Sequence, residues 1–220
     1  ITGGSQGLGR AFAKACCREG ARVAIIGRNA DKLEAVREEI GERIVCFPCD
    51  VGDSTEVNNT FKEIGAQMGG LDALVNNAGI YPIFKLDTAT DDQLRSVINT
   101  NVLGAMYACR EAIPLLKKSK GDIINVSSEA VRFYPPLLSV YTASKSALEA
   151  FSQSLRVELA PSGVRVAALR VGHLLREDPS PLDDATYELM IKTFEETGFM
   201  ASTGEGMQLD TVTSAAIHLL

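Results

Sequence analysis

The chain has 220 residues, 45% of them hydrophobic and 23% charged, with a formal net charge of -6 at pH 7. This balance suits one folded domain with a sizeable core and excludes a disordered or fibrous chain. The negative charge argues against nucleic acid, which recruits clustered Lys and Arg, and no apolar run approaches the ~20 residues that a spanning helix needs. A cytoplasmic protein with a small-molecule partner is expected, with no membrane span and no signal-like opening segment.

In chain order, TGGSQGLG at residues 2–9 opens a helix expected over 8–18. Its glycines let backbone approach a phosphate whose charge then meets the helix N-terminus, so Gly3, Ser5, Gln6, Gly7, Leu8 and Gly9 are candidate pyrophosphate contacts. Such a turn also occurs merely to pack helix on strand. The spacing is neither G-x-G-x-x-G nor that of a nucleoside triphosphatase loop, whose lysine is absent. The strand that should feed this turn is almost missing before Ile1. That strand is central in a doubly wound sheet, so a chain trimmed at this end is expected.

The next strand, RVAIIG at 22–27, ends at Gly27 with no carboxylate for the adenosine ribose, and Arg28 follows at once. Arg28 can pair with a 2′-phosphate, which favours NADP(H) over NAD(H), unless it is an ordinary surface charge. Asp31 lies too far into the helix of 30–40 to replace the missing acid; it and Asp53 can cap or charge helix N-termini, while Gly20 and Gly41 follow C-termini. Strand 43–50 carries Cys46 and Cys49 as C-x-x-C, but residues i and i+3 of a strand face opposite sides of a sheet. The five cysteines, Cys16, Cys17, Cys46, Cys49 and Cys109, form no regular framework, so reduced thiols and no metal site are expected.

A helix at 54–68, a strand at 72–79, a helix at 91–117, a strand at 121–128, a helix at 142–160 and a strand at 164–172 complete the alternation. Continuous apolar strands separated by helices indicate a parallel sheet covered on both faces, a doubly wound (Rossmann-type) α/β single domain over residues 1–220. Residues 173–207, rich in Asp, Glu, Pro and Gly, read as a lid within it, and 210–220 as a helix with no strand after it, so trimming is expected there too. Tyr141 and Lys145 share one helix face, and Ser128 ends a strand, where open α/β sheets bind ligands.

With TGGSQGLG at 2–9, NNAG at 76–79, INVSS at 124–128 and YTASK at 141–145, in this order, the chain resembles the classical short-chain dehydrogenases/reductases over nearly its whole length. The extended branch of that family spaces its glycines differently. The resemblance implies an NADP(H)-dependent oxidoreductase moving a hydride between nicotinamide and a carbonyl or secondary alcohol. Tyr141 would be general acid or base, Lys145 would stabilise its phenolate and hold the nicotinamide ribose, and Ser128 would donate to the reacting oxygen. Asn101 would bend its helix and hold a relay water, unless it is satisfied locally.

The resemblance also implies that Asp50 accepts from the adenine amino group, with Val51 beside the ring, although Asp50 could equally cap a turn. Asn77, Ala78 and Gly79 would line the adenosine ribose and pyrophosphate, and Asn76 would tie strands together. Helices near 103–117 and 146–159 resemble those that pair subunits, implying a homodimer or homotetramer, though apolar stripes also simply cover a sheet.

Where the family commonly reads Pro-Gly, a hydrophobic residue and Thr, this chain reads VGHLLR. Val171 replaces the proline, Gly172 is kept, Leu174 can offer its backbone to the carboxamide, and Arg176 takes the threonine position. Arg176 would meet phosphate or a substrate carboxylate and His173 would border the site, or both face solvent. Phe133, Tyr134, Leu137 and Leu138 suggest an apolar substrate body. The departure leaves open a non-catalytic NADP(H)-binding or scaffolding protein of the same fold, but a scaffold has no use for Asn101, Ser128, Tyr141 and Lys145 together.

Overall fold

The structure is a computed structural model, and it describes residues 1–174, 182–199 and 206–220. Helices and strands alternate as α1 (Gly7–Arg18), β1 (Val23–Gly27), α2 (Ala30–Ile40), β2 (Ile44–Pro48), α3 (Ser54–Met68) and β3 (Ala73–Asn76). They continue as α4 (Asp91–Ile98), α5 (Gly104–Ser119), β4 (Asp122–Ser128), α6 (Ala130–Phe133), α7 (Ser139–Leu159), β5 (Arg165–Val171), α8 (Asp184–Thr197) and α9 (Leu209–Ile217).

All strand pairs are parallel: β1 with β2, and β4 with both β3 and β5. The two groups are joined through the first two residues. Ile26 N–H donates to Ile1 O at 2.9 Å and Thr2 N–H donates to Val75 O at 3.0 Å. The spatial order is therefore β2, β1, residues 1–2, β3, β4, β5, with the glycine turn leaving the middle.

Alternation along the strands fills both faces, as parallel strands buried on two sides require. Ala24, Ile26, Leu74, Ile123 and Val166 pack with Phe61, Ala108, Leu116 and Leu155 of α3, α5 and α7. On the other face Val75, Ile124, Val126 and Val171 meet Phe12 and Val212, while Val23, Ile25 and Ile44 meet Ala13, Leu33 and Val36. The C-x-x-C pair divides in the same way: Cys46 Sγ donates to Leu33 O on the α2 side, and Cys49 is buried in the opposite cluster.

Local signals act as expected at several helix ends. Asp53 Oδ1 accepts from Thr55 N–H and Glu56 N–H at the start of α3, while α2 is capped by Asn29, with Asp31 in its first turn.

Two expectations need correction. The helix expected over 91–117 is α4, then a π-helical turn at Asn99–Leu103, then α5. The register widens where the Asn101 side chain serves the neighbouring backbone, a common setting for π-bulges. Helix α7 begins at Ser139, which puts Tyr141 in its first turn. The region read as a lid contains α8, capped by Asp183 accepting from Thr186 N–H, while residues 175–181 and 200–205, Arg176 among them, lie outside the described residues.

Candidate active site

Helix spacing places Tyr141, Lys145, Glu149 and Ser152 on one stripe of α7, and the stripe lies along β4. Four consecutive strand residues each meet one of these side chains. Asn125 Nδ2 donates to Ser152 Oγ at 2.8 Å. Lys145 Nζ donates to Val126 O at 2.7 Å, Ser127 Oγ donates to Glu149 Oε1 at 2.7 Å, and Ser128 lies beside the Tyr141 phenol, close enough to favour its phenolate. Strand alternation separates the two serines as expected: Ser127 is buried against α7, whereas Ser128 stays partly open at the strand end.

Asn101 is 1% exposed. Its Oδ1 accepts from Ile80 N–H at 2.8 Å, and its Nδ2 donates to Ile80 O at 2.9 Å and to Ser144 Oγ at 3.0 Å. Ser144 Oγ in turn donates to Tyr141 O at 2.6 Å. Both Nδ2 protons are thus used, and a relay through this amide has only the second Oδ1 lone pair to work with. Gly79 passes close by: a Cβ there would stand 3.4 Å from both Asn101 Oδ1 and Lys145 Nζ.

Burial pushes the Tyr141 phenol up, the Ser128 hydrogen bond opposes this, and neighbouring Tyr81, edge-on at 6.0 Å between ring centroids, adds to the rise. Burial lowers Lys145 to about 8. Lys145 Nζ sits over the Tyr141 ring, 5.8 Å from its centroid, and is bonded to Val126 O. Desolvation is the largest influence on the Tyr141 phenol, and it favours the protonated form.

The glycine turn has the features of a phosphate cradle. A Cβ on Gly9 would fall 2.1 Å from Gly3 O, so only glycine lets helix and turn close together, while Gly7, with φ of +51°, faces open space. The N-cap residue Gln6 makes no side-chain capping bond to the first turn of α1, which leaves its N–H groups to an anion. Both features fit a pyrophosphate. A Cβ on Gly27 would lie 3.4 Å from Ser5 Oγ, so β1 ends against the turn and delivers exposed Arg28 beside it. Lys32 Nζ, 3.4 Å from Gln6 Oε1, adds a second cation that the sequence reading passed over.

Asn77 and Ala78 spend their polar groups on the turn: both N–H groups donate to Thr2 Oγ1 at 3.0 Å, and Asn77 Nδ2 donates to Thr2 O. Asn76 Nδ2 donates to Asn125 Oδ1 at 2.8 Å, tying β3 to β4. Asp50 Oδ1 accepts from Gly52 N–H at 2.9 Å, and the Val51 side chain is buried against Gly104, so any adenine contact from Val51 falls to its backbone.

At the end of β5, Val171 remains in the ladder opposite Ser128, and its O accepts from Glu129 N–H at 3.0 Å. Gly172 leaves room for Glu129 and Met207, whose Oε2 and Sδ would lie 2.7 and 3.2 Å from a Cβ. Leu174 bridges Met207 through His173 O, which accepts from Met207 N–H at 2.7 Å, rather than through its own N–H. His173 is exposed. Among the described residues, no group of His, Cys, Asp or Glu could hold a metal, and no helix is long and apolar enough to cross a membrane.

Glu149, Arg170 and Tyr81 also escaped the sequence reading. Glu149 carried a usable signal, its place one helical turn after Lys145, whereas Arg170 and Tyr81 are near the site only through tertiary packing.

Comparison with known proteins matches residues 1–177 to the family described as short chain dehydrogenase. A 3-oxoacyl-[acyl-carrier-protein] reductase of Bos taurus is 34% identical over 100% of this chain and 89% of its own length. Carbonyl reductase family member 4 of Xenopus laevis is 33% identical over 87% of this chain and 81% of its own. A crystal structure of 3-ketoacyl-(acyl-carrier-protein) reductase from Brucella melitensis, complexed with NADH, superposes with a TM-score of 0.85 at 27% identity, covering 100% of this chain and 88% of the other.

Proposed function

The chain belongs to the short-chain dehydrogenase family and is an oxidoreductase acting on carbonyl or alcohol groups; on that premise we propose that it is NADP(H)-dependent, with Tyr141 as its general acid or base. The observation that carries this reading is the convergence of Ser128, Tyr141 and Lys145 at the end of β4, with Asn101 bonded behind them through Ser144.

The nicotinamide, when bound, supplies the hydride chemistry. Ser128 Oγ orients the reacting oxygen, and Tyr141 Oη gives it a proton in reduction or takes one in oxidation. Lys145 holds the nicotinamide ribose and offers positive charge to the phenolate that forms, while Tyr141 gains further from its place in the first turn of α7, where the helix dipole favours an anion. The uncapped turn of α1 holds the pyrophosphate. Arg28, with Lys32 close by, meets the 2′-phosphate, which supports NADP(H) over NAD(H).

The wall formed by residues 129–138 presents Phe133 and Tyr134, 53% and 70% exposed, and supports a carbonyl substrate with an apolar body. Val157, 76% exposed on the outer face of α7, supports pairing of subunits through α5 and α7 as a homodimer or homotetramer.

The test is NADPH oxidation against a panel of ketones, aldehydes and acyl thioesters. Tyr141→Phe is expected to lower kcat by roughly 10²–10⁴, as loss of a general acid does, with NADPH affinity nearly unchanged. Undiminished turnover sinks the assignment, and cofactor binding without turnover on any substrate favours a nucleotide-binding scaffold.

A further inference from the structure

Ser127 and Arg170 are opposed across the β4–β5 ladder, and one carboxylate from α7 takes both. Glu149 Oε1 accepts from Ser127 Oγ at 2.7 Å and from Arg170 Nε at 2.6 Å, while its Oε2 accepts from Arg170 Nη2 at 2.6 Å. The forked pairing fixes orientation as well as distance. The Arg170 hydrogen bond, aided by Ser127 and the charges of Arg170 and Arg132, holds the Glu149 carboxyl below its usual range despite partial burial.

The next residues along each strand, Ser128 and Val171, are also opposed. Ser128 lies beside the Tyr141 phenol, and Val171 precedes Gly172. The grip therefore sits one residue behind the site on two strands and one helical turn behind Lys145 on the helix. The Arg170 side chain is 40% exposed, so the pair adds little to global stability; what it constrains is how two strand ends meet the middle of α7.

We propose that Glu149 is a positioning residue: by gripping Ser127 and Arg170 it fixes the ends of β4 and β5 against α7 and so sets the contact between Ser128 and Tyr141. This rests on the assignment of Ser128 and Tyr141 as the proton-transfer pair. It asks nothing of a ligand, because the residues involved are all in this chain.

Two readouts test it. The ionisation of Tyr141 is followed by ultraviolet difference absorbance between each protein and the same protein carrying Tyr141→Phe, which requires no turnover. Steady-state NADPH-dependent carbonyl reduction is measured alongside. The Ser128 bond favours phenolate, so Glu149→Ala and Arg170→Met are expected to raise the Tyr141 midpoint in the direction that Ser128→Ala raises it. Both should also lower kcat about tenfold with KM for NADPH within about threefold, as small misplacements of reacting groups do. Glu149→Gln, which keeps an acceptor for Ser127, should recover part of both losses.

A Tyr141 midpoint and kcat left at wild-type values, while the melting temperature falls, would reduce Glu149 to a structural brace and overturn the proposal. If Glu149→Ala fails to fold, Arg170→Met carries the same two readouts. A wild-type protein without turnover on any carbonyl defeats the functional reading, whereas the Tyr141 titration still decides the positioning role.

Discussion

The two halves of the sheet hold their functional groups by different means. On the β1–β2 side, the glycine turn is kept in shape by missing side chains and one hydroxyl: Gly9 closes against Gly3 O, and Thr2 Oγ1 accepts from the Asn77 and Ala78 N–H groups that follow β3. On the β3–β4–β5 side, buried side chains do the holding: Asn101 on Ile80, Lys145 on Val126 O and Glu149 on Ser127 and Arg170. A phosphate is met by shape and a helix N-terminus, which tolerate solvent. A proton-transfer pair of the kind proposed depends on desolvation and fixed angles, which buried polar groups supply.

The contrast can be broken from the turn side first. Gly9→Ala drives a methyl into Gly3 O, and the turn must open. At roughly 1.5–3 kcal/mol for each charge-assisted hydrogen bond lost, two such losses lower NADPH affinity by about 100-fold or more in a fluorescence titration. The Tyr141 ionisation midpoint should stay put, because the other half is held independently; a shifted midpoint would show that the halves are coupled.

Arg28→Ala comes next and is narrower. It removes one charge-assisted contact to a 2′-phosphate, expected to weaken NADPH by about 10- to 100-fold, at roughly 1.5–3 kcal/mol, while NADH changes by less than about threefold. Equal losses for both cofactors would end the case for NADP(H) preference.

The smallest effect is a pH dependence on the catalytic side. Burial lowers Lys145 to about 8 from 10.5, so its charge is complete below that pH and fades above it. NADPH affinity should therefore loosen as pH rises through about 8, a step that Lys145→Met removes. Stability follows the opposite sign. Between the folded and unfolded pKa values the unfolded chain binds more protons, so wild-type stability relative to Lys145→Met rises with pH from about 8 to 10.5. A flat difference across that window would mean that Lys145 is not desolvated as the structure has it.

Much of the first half was legible in the residues, because phosphate cradles are local: glycines in one turn, opening one helix, with Arg28 directly after the next strand. The second half was legible only in part. Tyr141 and Lys145 are one helical turn apart and Ser128 ends a strand, so their convergence could be expected from spacing. The direction of the Tyr141 shift could not, since it depends on how much water burial removes and on Lys145 facing the ring and Val126 O. Asn101 was singled out as a candidate, but the π-helical turn around it was not expected, because helical periodicity does not register one extra residue in a turn.

The sequence by itself determined the parallel α/β layering and singled out the glycine turn and the candidates for proton transfer, since each depends on periodicity, residue type or spacing within one element. Only the tertiary structure decided the state of those residues and the grip behind them. Ser127, Glu149 and Arg170 come from a strand, a helix and another strand, and no local pattern says that three separate elements will meet at one carboxylate.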